Sequence, residues 1–81
     1  MHVVARAYGE RSPGVIVSVS MDGVALRAIT DRNGQALFIG LPEGAYRLTA
    51  ELDGMCPFAR SGQINERNNR VSVNLRWCGS S

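Results

Sequence analysis

The chain has 81 residues, nine basic against seven acidic, and a hydrophobic fraction of 44%. That is one small domain's worth of sequence, too apolar for a disordered chain and without the ~20-residue apolar run a membrane helix needs. All nine basic residues are Arg, so lysine Schiff-base chemistry, a phosphate-loop lysine and a lysine isopeptide cross-link are excluded within this chain. A net charge of +2 with no basic block gives no reason to expect nucleic acid.

Strand-length segments separated by turn residues dominate, and no segment of helical period escapes a Gly or Pro. Seven strands are expected. The first covers Val3–Tyr8 and turns through Gly9–Pro13. The second is Val15–Ser20, with Val15, Val17 and Val19 on one face and Ser18 and Ser20 on the other. Asp22-Gly23 is a two-residue hairpin signal, because both residues tolerate positive φ. The third strand is Val24–Thr30, followed by a turn through Asp31–Gly34, and the fourth is Gln35–Ile39, ending at Gly40–Gly44. In the fifth, Tyr46, Leu48, Ala50 and Leu52 alternate with Arg47, Thr49, Glu51 and Asp53, one face dry and one wet. The sixth, Met55–Arg60, is assigned to a sheet edge by Pro57. A polar loop is expected over Ser61–Asn69. The seventh strand, Arg70–Trp77, places Val71, Val73, Leu75 and Trp77 inward and Ser72, Asn74 and Arg76 outward. Gly79-Ser80-Ser81 reads as a frayed tail.

Cys56 and Cys78 are the only cysteines and His2 the only histidine, too few for a zinc site. One disulfide is the simplest reading, with two buried or free thiols of a cytosolic protein as the alternative. A bridge places the domain outside the cytosol, and without a signal peptide at Met1 the expectation is a segment of a longer exported protein. Cys78 has the outward parity of Ser72, Asn74 and Arg76. Either the last strand ends or bulges near Trp77, or the bridge lies outside a sheet; the following Gly79 favours the former.

Catalytic groups are scarce. His2 stands where chain ends fray, and Asp22, Asp31, Glu43, Asp53 and Glu66 fall where turns and loops are expected. Gly40–Gly44 joins two strands and opens no phosphate-binding helix, and the Asp-containing turns lack the oxygen ligands calcium needs. No enzyme activity, metal or cofactor is expected. Of the aromatics, Phe38, Tyr46, Phe58 and Trp77 read as core; Tyr8 shares parity with Arg6 and is the least settled.

The run from Thr30 to Leu48 resembles the central motif of carboxypeptidase-regulatory-like and transthyretin-like β-sandwiches: a Thr-Asp-x-x-Gly turn, an apolar strand, Gly-Leu-Pro-x-Gly, then Tyr-x-Leu. The resemblance implies an all-β, immunoglobulin-like sandwich of about seven strands. A narrower resemblance is to the C-terminal domain of outer-membrane fimbrial ushers. Pro13-Gly14, Val15–Val19, Gly23, Gly34-Gln35, Gly40-Leu41, Leu48–Leu52, Cys56, Phe58 and Cys78 fall in that family's order. Leu52-Asp53-Gly54 stands where many ushers carry Trp-Gly. The usher resemblance implies a periplasmic domain of an outer-membrane protein, itself not membrane-spanning. Such a domain receives chaperone–pilin subunit complexes during pilus assembly. Its recognition surface would be the outward rows Arg47, Thr49, Glu51 and Ser72, Asn74, Arg76. The alternative is a structural spacer or carbohydrate-associated regulatory-like module of another secreted protein.

Overall fold

The computed structural model describes residues 1–65, 67 and 69–78. The described residues form eight strands and no helix: β1 (His2–Ala7), β2 (Glu10–Arg11), β3 (Ile16–Met21), β4 (Val24–Ile29), β5 (Gln35–Leu37), β6 (Gly44–Glu51), β7 (Phe58–Ile64) and β8 (Arg70–Leu75). They build two stacked sheets. One has the order β4-β3-β6-β7, antiparallel throughout. The other is centred on β1. β8 pairs with β1 in parallel along its whole length, from His2↔Arg70 to Ala7↔Leu75. β5 and β2 therefore share the opposite edge of β1, antiparallel to its first and second halves. The result is the all-β immunoglobulin-like sandwich expected from the alternating pattern.

The pleat decides what lies between the sheets. Val3 and Ala5 of β1, Val71, Val73 and Leu75 of β8, and Ala36 and Phe38 point inward from one sheet. They meet Val17, Val19 and Met21 of β3, Tyr46, Leu48 and Ala50 of β6, and Ile64 of β7. Leu48, Val3, Val17 and Val73 are fully buried, each contributing on the order of 1.5–3 kcal/mol of transfer free energy.

The Thr-Asp-x-x-Gly motif has a physical basis here. Thr30 Oγ1 donates to the Ser12 carbonyl at 2.8 Å and accepts from the Val15 amide at 2.9 Å. Its amide and carbonyl engage the Val15 carbonyl and Gly14 amide. One buried side chain thus ties the β2–β3 connection to the end of β4. Asp31 Oδ1 accepts from the amides of Asn33 and Gln35, closing the turn. Gly34 has φ +72°, and a Cβ there would lie 2.8 Å from the Ala5 carbonyl oxygen and 2.9 Å from the Ser12 nitrogen. Only glycine fits both the conformation and the space. Tyr46, the aromatic of Tyr-x-Leu, lays its ring over Gly62 of the neighbouring strand.

Several expectations need correction. β7 runs Phe58–Ile64, so Ser61–Ile64 is strand and not loop; Glu66 and Asn68, later in that expected loop, lie outside the described residues. β7 is an edge strand, as Pro57 implied. Polar Ser61 and Gln63 on its outer face and the inward-parity Arg60 hide its second half from a hydrophobicity reading, yet the strand pairs with β6 from Ala50↔Phe58 to Gly44↔Ile64. Tyr8-Gly9 is a tight hairpin turn with φ +56° and +80°, leading into the unexpected two-residue β2. His2 is not frayed: it pairs with both Leu37 and Arg70, and its amide donates to the Asn69 carbonyl. Trp77 is not core but 63% exposed, because β8 ends at Leu75. The Gly79–Ser81 tail lies outside the described residues.

Candidate functional site

The covalent feature of the fold is Cys56–Cys78, with Cα atoms 4.7 Å apart. It sits in a short antiparallel clasp. The Cys56 amide donates to the Arg76 carbonyl at 2.8 Å, the Cys78 amide donates to the Gly54 carbonyl at 3.0 Å, and Met55 bridges to Trp77 between them. The exit of β8, in one sheet, is thereby fastened to the β6–β7 connection of the other. The end of β8 before Trp77 resolves the parity of Cys78. Gly54 makes room for Trp77, since a Cβ there would lie 2.9 Å from its ring.

The two outward rows proposed as one recognition surface are on opposite sides of the sandwich. Arg47, Thr49 and Glu51 belong to β6, whose outer face meets Ser20, Ser18 and Ile16 of β3 at the same register. Across β7, Arg47 and Thr49 face Ser61 and Ala59. Ser72 and Asn74 belong to β8 and flank Val4 and Arg6 on the outer face of the other sheet, with Arg76 just beyond the strand. With the core between them, these are two separate faces. All six side chains are exposed except the half-buried Thr49.

The β1-centred outer face carries groups that side-chain spacing alone does not bring together. Arg6 stands directly opposite Arg11 of β2 and beside Asn74 of β8. The parallel β1–β8 pairing, which joins residues some 70 positions apart, is invisible to local pattern. On the other sheet, Ile16 and Ile29 form an exposed apolar cross-strand pair next to Glu51. Among the described residues, no three His, Cys, Asp or Glu side chains gather in a way that could hold a metal ion. Buried side-chain polar atoms among them all have hydrogen-bond partners. No helix among the described residues is long and apolar enough to cross a membrane.

Fold and surfaces together define a disulfide-clasped β-sandwich module whose outward features are solvent-facing sheet surfaces. The carboxypeptidase regulatory-like domain profile matches residues 2–77, and the chain belongs to that family. Its members are regulatory, non-catalytic β-sandwich modules. The match carries the wider group and does not extend to the fimbrial-usher resemblance. No curated protein matches the chain.

Proposed function

We propose that this domain is a non-catalytic module set in line within a longer exported protein, spacing its neighbours and offering its sheet faces for recognition. The observation that carries this reading is the parallel pairing of β1 and β8. A chain that enters at His2 and leaves after Leu75 crosses the sandwich, about 17 Å apart along the strands at ~3.3 Å per residue. Neighbouring domains would then project from opposite ends, as a spacer requires. The clasp at the exit keeps tension or proteolysis from peeling β8 away from β1. A disulfide of this kind suits an oxidising compartment, extracellular or periplasmic.

The narrower reading is the periplasmic C-terminal domain of a fimbrial usher, receiving chaperone–pilin subunit complexes. It is favoured by the order of the Pro13-Gly14, Gly34-Gln35 and Gly40-Leu41 signals ahead of the Cys56–Cys78 bridge. In that case Arg47, Thr49 and Glu51 on one face, or Ser72, Asn74 and Arg76 on the other, would contact the complex. Titrating the folded domain with a chaperone–subunit complex separates the two. Saturable binding, weakened by substitution on one face only, supports the usher role; no binding at micromolar concentrations leaves the spacer. The spacer role predicts that a tandem of two copies, joined from beyond Cys78 of the first to Met1 of the second by a short linker so that both clasps are kept, is extended in small-angle scattering. A folded-back tandem would overturn it.

A further inference from the structure

Two local rules of β-structure are broken at one hairpin. Arg6 and Arg11 are direct cross-strand partners, an arrangement of like charges that weakens a sheet. The turn joining their strands places Tyr8, not Asn, Asp or Gly, at φ +56°, where bulky side chains are disfavoured. Tyr8 is 72% exposed, and beyond the chain neighbours nothing lies within 4 Å of where a Cβ on Gly9 would sit. Nothing among the described residues explains either feature. The inner-parity neighbour, Glu10, pairs with Ala7 and so takes the opposite side of the ribbon from Arg11. The register positions around Arg6 on the outer face hold Arg11, Asn74, Val4 and Ser72, with no carboxylate to neutralise the guanidinium pair.

We infer that the β1–β2 hairpin is a binding site for a linear acidic polysaccharide bearing uronate carboxylates. Two adjacent guanidinium forks match the planar, bidentate geometry of a carboxylate. Asn74 adds an amide able to hydrogen-bond sugar hydroxyls. The exposed Tyr8 ring offers a flat apolar surface to the C–H face of a pyranose. Occupancy by an anion would also remove the Arg6–Arg11 repulsion. The disulfide places the domain where polysaccharides, rather than nucleic acids, are the abundant polyanions, and a single exposed ring is a poor platform for stacking successive bases. This deepens the carbohydrate-associated form of the module reading; its failure would leave the in-line spacer role, which the tandem scattering experiment tests, untouched.

The test is an NMR titration of the whole domain with a short polygalacturonate at low salt. Its methyl-esterified, neutral counterpart and an oligothymidylate of equal charge serve as comparisons. Saturable shifts confined to the surroundings of Arg6, Tyr8, Arg11 and Asn74 are expected with the uronate and not with its ester. Arg6→Gln with Arg11→Gln should lower affinity about tenfold or more, the scale of one lost charge-assisted contact. Tyr8→Gly should also weaken binding. Both variants should melt no lower than the parent, since each removes an unfavourable local feature. Arg27→Gln with Arg47→Gln, on the other sheet, should leave affinity unchanged. No saturable shift, equal or tighter binding of oligothymidylate, or equal loss in the Arg27/Arg47 variant would each overturn the proposal. The wild-type shift map decides the matter even if a variant fails to fold.

Discussion

Removing the Cys56–Cys78 bridge should be the most damaging single chemical change that leaves the core intact. The cysteines are 22 positions apart. In the chain-entropy relation, a loop of that length in the unfolded chain corresponds to roughly 3 kcal/mol of stabilisation. For a domain of this size each kcal/mol shifts the melting temperature by about 4–8 °C, so reduction, or Cys56→Ala with Cys78→Ala, should lower it by roughly 12–25 °C. The denatured chain without its clip is more expanded, so the urea m-value should rise slightly while the midpoint falls. Trp77 is the only tryptophan and is held in the clasp through Met55, giving a local probe beside the global one. Its emission should change on reduction at denaturant concentrations too low to unfold the sheets, which circular dichroism monitors. A loss below about 0.5 kcal/mol, the range of an ordinary surface substitution, would refute the view that the bridge staples the two sheets.

The motif residues make sharper predictions about local geometry. Gly34→Ala puts a methyl group against the Ala5 carbonyl and Ser12 amide at a positive φ, and should destabilise by more than ~2 kcal/mol in urea melts. Gly54→Ala carries the backbone strain of φ +80°, but its methyl meets only the Trp77 ring, which can swing outward, and no backbone atom. It should therefore have a smaller effect on stability and a visible one on Trp77 fluorescence. Thr30→Val leaves the Val15 amide and Ser12 carbonyl without their buried partner and should cost about 1–3 kcal/mol, with Thr30→Ser recovering most of it. Leu48→Ala, at the fully buried centre of β6, should cost about 2–5 kcal/mol by equilibrium denaturation.

How much was legible in the sequence depended on whether a residue's role was local. Val15, Val17, Val19 and the Tyr46–Ala50 alternation declared their faces because each strand has one wet and one dry side. Asp22-Gly23 declared its hairpin, with φ +37° and +79°, through residues suited to that turn. Tyr8-Gly9 makes a similar turn with a residue that does not advertise it. The edge strand expected over Met55–Arg60 starts later and runs on to Ile64; its second half, Ser61–Ile64, escaped notice because an edge strand is stabilised by backbone pairing to β6 and needs few large hydrophobes. Trp77 was misplaced because extending a period-two pattern takes no account of where the strand stops. The cysteine pairing was readable because only one bridge is possible. The outer surfaces were the least legible: the rows of β6 and β8 look alike in sequence, and only the sheet order shows that the core separates them. The Arg6–Arg11–Asn74 grouping depends on registers between three strands, one of them contributed by a parallel partner from the far end of the chain.

The parallel register of β1 with β8 is the feature on which the in-line module rests, and inter-strand nuclear Overhauser contacts in the intact, oxidised domain measure it directly. Backbone cross-peaks linking Val3 with Val71 and Ala7 with Leu75 are predicted. Cross-peaks linking Val3 with Leu75 and Ala7 with Val71 would signify an antiparallel pair, bring the entry and exit of the chain to one end, and contradict the account.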